Sequence, residues 1–243
     1  VVDRLRKRNV LVALAALIVV VVIAIAVAVS AGDDDEGATS TTTSSSSTTT
    51  SLAPLTTLPV SAEDIARSLY PDLSGAARFD DPVVLATAFA TDFLAFDTDV
   101  AATFRDGGDG TGTVELRSHP RSDPTVVSLA QLPDQTWIVL GATTKSIVLR
   151  LPATGSTIRS PQAVAGAAYA FEGHVDVTLF ADGSDTPIGN TFVTGRGDGV
   201  LGDFEGNLRF APPEGARYGV LVLSSPNGED GTSTAALAIR VAF

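Results

Sequence analysis

The chain has 243 residues with a formal net charge of −12, from 16 Lys and Arg against 28 Asp and Glu, and no cysteine. An acidic exterior argues against a nucleic-acid partner, which needs clustered Lys and Arg, and against docking on anionic lipid. Without cysteine, disulfides, thiol chemistry, thiolate metal sites and a lipid anchor on cysteine are excluded.

In chain order, 1–9 is a short basic stub in which Arg4, Arg6, Lys7 and Arg8 face only Asp3. Val10 to Val29 is an unbroken apolar run without charge, proline or glycine. At about 1.5 Å per residue a helix of 10–29 spans roughly 30 Å, the hydrocarbon thickness of a bilayer. Asp33, Asp34, Asp35 and Glu36 follow it. Basic residues flanking a membrane helix stay on the cytoplasmic side. The expectation is a single-pass membrane protein with its N-terminus inside and its folded part outside. A cleaved signal peptide, with a small-residue site at Val29-Ser30-Ala31, is the alternative. Residues 30–60 read as a disordered linker, because Thr39 to Ser51 is made of Ser and Thr alone. Such a tract buries nothing to offset the entropy of ordering it. It is either a plain spacer or an O-glycosylated one.

Folded structure is expected from Ser61, where S-x-x-D opens a short helix ending before Pro71. Asp81 and Pro82 start a second helix carrying Leu85, Phe89 and Phe93 at four-residue steps, with Ala88 and Phe96 alongside. Asp106 to Gly112 reads as an acidic surface turn, without the acid spacing of an EF-hand loop. Strands follow at 113–117, 125–132 and 136–140, the last holding Trp137, the only tryptophan. His119 falls in a turn near Asp123. Residues 61–142 therefore read as a small α+β domain.

From Lys145 only strands are expected. Alternation marks Ile147–Leu151, Val175–Leu179 and Leu237–Phe243, the last with Arg240 outward and the middle one with His174, Asp176 and Thr178 toward solvent. Weaker strands fall at 164–169 and 191–194 and at Phe204, Leu208 and Phe210. Tyr218 to Leu223 is apolar on both faces, as a central strand is. Asn227-Gly228 and Asp230-Gly231 are turn pairs. Some seven strands over 145–243 read as an immunoglobulin-like β-sandwich. The expected fold class is thus a membrane-anchored two-domain protein, a small α+β domain followed by an all-β sandwich.

Ile147 through Pro152, Ser160-Pro161, Gly166, Ala170-Phe171-Glu172, Gly202, Phe204 and Asp230-Gly231 form an ordered set. With these residues, 147–243 resembles the immunoglobulin-like domain of bacterial spore germination, the GerM-associated type. The resemblance implies an exported, membrane-associated, non-enzymatic module of cell-envelope proteins and supplies no catalytic, cofactor or metal residues. Ser160, Pro161, Gly166, Phe171, Glu172, Gly202, Phe204, Asp230 and Gly231 are its structural positions. Gly166 suits a bend, Phe171 a core side chain, and Glu172 a bond to nearby backbone. The GerM domain itself is not evident in 61–142, so a role in germination does not follow. The expected partner, besides the membrane, is an envelope protein or a cell-wall polymer. The competing class is a small-ligand site or enzyme in 61–142, which would need Trp137, His119 or Asp92 to line a pocket between the second helix and the sheet.

Overall fold

The computed structural model describes residues 68–97, 99–120 and 122–243. The apolar run 10–29, the linker 30–60 and the helix opening at Ser61 lie outside the described residues up to 67. Among the described residues no helix is long and apolar enough to cross a membrane.

Residues 68–70 run extended, with Tyr70 bridged to Val139. Helix α1 then spans Pro82–Asp92. It starts as its sequence dictates: the Asp81 carboxylate accepts from the Val83 and Val84 N–H groups at 2.7 and 3.2 Å, and Pro82 occupies the first turn, where no N–H is needed. The helix stops earlier than its aromatic stripe. Phe93 caps it, and Ala95 turns into the left-handed region at φ 56°. Leu85, Ala86, Phe89 and Ala90 are buried, whereas Ala88 is half-buried.

The strands are β1 (Ala101–Asp106), β2 (Thr111–Arg117), β3 (Thr125–Gln131), β4 (Trp137–Thr144), β5 (Ile147–Leu151), β6 (Gln162–Ala168), β7 (His174–Ala181), β8 (Pro187–Thr194), β9 (Gly202–Leu208), β10 (Tyr218–Pro226) and β11 (Ser233–Ala242). They form an antiparallel eight-stranded sheet in the order β1-β2-β3-β4-β11-β10-β7-β8 and a three-stranded sheet in the order β5-β6-β9. Strand β1 is not visible in the hydrophobic pattern, because only Ala102 and Phe104 are half-buried and its remaining residues are exposed. It is held by its register with β2, from Ala101 opposite Arg117 to Asp106 opposite Gly112.

Two cores lie against the large sheet. Ile147, Val164, Phe204 and Leu208 of the small sheet pack with Val175, Val177 and Leu179 of β7, Leu221 and Leu223 of β10, and Leu237, Ile239 and Val241 of β11. On the alternate residues of the same strands, Phe180, Val220, Val222, Ala236 and Ala238 join the core built with Leu85, Phe89 and Phe96. Successive side chains of a strand point to opposite faces, so these strands are apolar on both. This is the physical content of the uninterrupted apolar run Tyr218 to Leu223. Phe93 and Phe180 meet edge to face with ring centroids 5.2 Å apart.

The expected boundary between 142 and 145 falls inside this structure. Strand β4 runs on to Thr144, and β11, the last strand, lies beside it with Ala238 opposite Ala142. The described residues all fall within one compact unit. The seam is reinforced by a side chain. The buried Thr125 hydroxyl accepts from the Ala236 N–H at 2.9 Å and donates to the Ala236 carbonyl at 3.4 Å. Ser233 N–H also donates to the Ala95 carbonyl at 2.8 Å.

Three expected side-chain positions are corrected. Leu151 is not inward: it is 51% exposed, because a register shift between Leu149 and Leu151 breaks the alternation of β5. Phe171 is not in the core: it is 61% exposed, in a 3-10 turn, Phe171–Gly173, where its ring covers the face of Gly228. Leu237 and Phe204 are buried as expected. Arg240 does not face solvent: it is 7% exposed, its guanidinium forks onto both oxygens of Asp182, and it lies 5.0 Å above the Tyr218 ring. The arginine fork matches a carboxylate and stacks on an aromatic face, so a charge at an alternating position is housed without being exposed.

Candidate functional site

The family-like positions shape corners and close approaches. In β6, Gly166 stands opposite Phe204, and a Cβ there would collide with the Val148 carbonyl and the Phe204 ring. Close approach, rather than a bend, is its requirement. The Ser160 hydroxyl accepts from the Phe210 N–H at 3.0 Å, just before Pro161. Gly202 opens β9 where the Arg196 stem leaves no room for a Cβ. Asp230 accepts from the backbone N–H and the hydroxyl of Thr232, at 3.0 and 2.7 Å, and these bonds lower its pKa. Gly231 beside it needs φ 76°. Glu172 takes φ 53° and is exposed; among the described residues its side chain bonds no backbone group, contrary to expectation.

Phe171 and the β10–β11 turn gather at one end of the sandwich. Between them and the seam lies a hollow of about 340 Å³ lined by Asp123, Ser146, Tyr169, Phe171, Ser225 and Thr234, among others. The Tyr169 hydroxyl donates to Asp123, and the Lys145 ammonium sits 2.7 Å from the same carboxylate. Burial, then the hydrogen bond and charge of Asp123, push the Tyr169 phenol up to about 12. For Asp123 burial raises the pKa, but the bonds from Lys145 and Tyr169 and the charges of Lys145 and Arg117 outweigh it and hold the carboxyl below its ordinary value. The trio ties the β2–β3 loop, the β4–β5 link and the end of β6 together. It keeps its acid ionised and its phenol neutral, which suits a latch rather than proton transfer.

A larger groove, about 570 Å³, lies on the outer face of β7, β8 and β10 beside the end of α1. Asp176, Thr178 and Ser224 contribute to it from the sheet, Asp92 and Phe93 from the end of α1, and Asn190 and Phe192 from β8. Phe192 is 61% exposed and stacks on the His174 ring, with centroids 5.1 Å apart and planes 18° from parallel. His174 Nε2 is 2.9 Å from Asp176. Periodicity correctly faced His174, Asp176 and Thr178 away from the sandwich core. It missed Phe192, whose signal is an aromatic at a polar-phase position of a short strand.

The three residues named for a pocket under the helix do not meet. Trp137 is buried, edge to face with Phe104 at 5.5 Å. His119 is exposed in the β2–β3 loop. Asp92 accepts from the Tyr70 hydroxyl at 3.2 Å and borders the outer groove. Burial and the Asp92 charge raise the Tyr70 pKa. Leu85 and Phe89 fill the space between α1 and the sheet. Among the described residues no group of three or more His, Asp or Glu side chains is placed to hold a metal ion, and no Ser or Thr hydroxyl is hydrogen-bonded to either histidine ring.

Two antiparallel sheets packed face to face, with no cysteine pair across them, define an immunoglobulin-like module. Residues 146–232 match the family model described as the immunoglobulin-like domain of bacterial spore germination. The match covers β5 to β10 and ends just before β11. No curated relative and no solved structure matches the chain.

Proposed function

We propose that this chain is a non-enzymatic cell-envelope protein that presents its sandwich outside the cytoplasmic membrane as an interaction module, with a partner protein or a cell-wall polymer as its target. The match of 146–232 to an immunoglobulin-like family carries this reading. The apolar run 10–29 and its basic flank motivate the anchor and the orientation. The filled space under α1 weighs against the competing small-ligand or enzyme reading of 61–142.

Photo-crosslinking in intact cells tests the target. Crosslinkers on the exposed surface of the sandwich should attach an envelope protein or wall fragments; attachment to cytoplasmic proteins alone contradicts the proposal. Protease added to wall-stripped cells should remove the folded part. A mature N-terminus at Gly32 would contradict the anchor and favour a cleaved signal.

A further inference from the structure

We infer that the groove beside Phe192 is a binding site for a neutral glycan chain. This rests on the interaction-module reading above and gives that module a ligand class. An exposed aromatic face presents negative quadrupole density, which attracts the slightly positive C–H face of a pyranose ring. Phe192 offers such a face, and the stacked His174, itself beside Asp176, holds the ring's orientation. Around it the groove carries short hydroxyl, amide and carboxylate side chains, among them Thr178, Asn190 and Ser224. These are the donors and acceptors that sugar hydroxyls pair with, and a hollow open to solvent leaves room for a chain to run past it.

The alternatives fit less well. Asp92, Asp176 and Asp185 all border the groove, so an anionic polymer would meet like charge. The acids do not form a cation site, since no metal-holding group exists among the described residues. A peptide adding as a strand needs an open edge. At β8 that edge is obstructed: the Ala211 N–H approaches the Ile188 carbonyl at 3.4 Å, and Gly189 has no room for a Cβ against Arg209 and Phe210.

The test is titration of the full chain with chitotetraose and cellotetraose, followed through the amide signals of Phe192 and Thr178. Binding should saturate, and Phe192→Ala should weaken it about tenfold or more, the loss of one aromatic stacking contact. Phe171→Ala, which removes an equally exposed ring elsewhere, should change it by less than about twofold. Both variants should keep the parent melting temperature, which separates lost binding from lost folding. Absence of a shift with either probe overturns the inference, as does equal binding by Phe192→Ala. So does an oligolysine peptide that occupies the groove when neither sugar does. Crosslinking of a partner at another surface in intact cells would then leave the interaction-module reading standing and only the groove assignment lost.

Discussion

The two faces of β7, β10 and β11 are covered by different means. One meets a second sheet, and β5 to β10 on that side fall within the residues that match a family model. The other meets α1 and the core of β1 to β4, which lie outside the matched residues 146–232. Yet the unmatched half covers Phe180, Val220 and Val222, side chains that would otherwise form a large exposed apolar patch on the module. It is therefore part of the fold's interior, and a family match can end where a shared core does not.

The largest effects should come from deleting a ring in either core. Phe89→Ala on the helix side and Phe204→Ala in the sandwich should each cost about 3–5 kcal/mol, through lost transfer energy and an unfilled cavity. Denaturant midpoints would measure both, and a mild effect on one side alone would mark that core as loosely packed.

Arg240→Ala comes next, at about 2 kcal/mol, because it removes charge-assisted bonds and stacking while leaving Asp182 able to reach water. A cost as small as that of an exposed surface residue would mean that the ion pair contributes nothing net. Thr125→Val should cost about 1–2 kcal/mol, since it keeps the shape but leaves the Ala236 N–H unpaired at the seam. Amide exchange at Ala236 would show the loss directly.

The latch predicts a pH dependence with two arms. The depressed pKa of Asp123 gives stability that is full above the unfolded carboxylate value of about 3.9 and is lost as pH falls through the lower folded value. The raised pKa of Tyr169 gives stability that is full below the unfolded phenol value of about 10. That contribution is lost as pH rises toward about 12. Asp123→Asn should therefore cost most between these limits and least at both extremes, in melting temperatures measured across pH. Phe171→Ala is the smallest change, under about 0.5 kcal/mol, because the ring is mostly exposed.

Much of each half was legible in the sequence. Asp81 and Pro82 fixed the start of α1, and alternation identified the inward residues of β7 and β11 and, in β5, Ile147 and Leu149 but not Leu151. The double-sided apolar run in β10 announced a strand between two cores. Pairing was not legible: period-two patterns report which face a strand buries, not which strand lies beside it, so the β4–β11 seam was hidden. For the same reason Arg240 read as outward, since alternation cannot show that Asp182 and Tyr218 wait on that side. Of the candidate sites, the acids and hydroxyls of the outer groove were visible only as a solvent-facing strand, and the exposed face of Phe192 depends on the pairing of β8 with β7, which period two does not report.

The shared sheet can be tested with the chain's own reporter. Trp137, the only tryptophan, sits in the helix-side core, whereas Phe204 sits in the sandwich core. If one sheet couples the two, Phe204→Ala should lower the denaturant midpoint seen by Trp137 fluorescence as much as the midpoint seen by far-UV circular dichroism. A fluorescence midpoint left at the parent value, while the dichroism midpoint falls, would show that the two halves fold independently and would contradict the account.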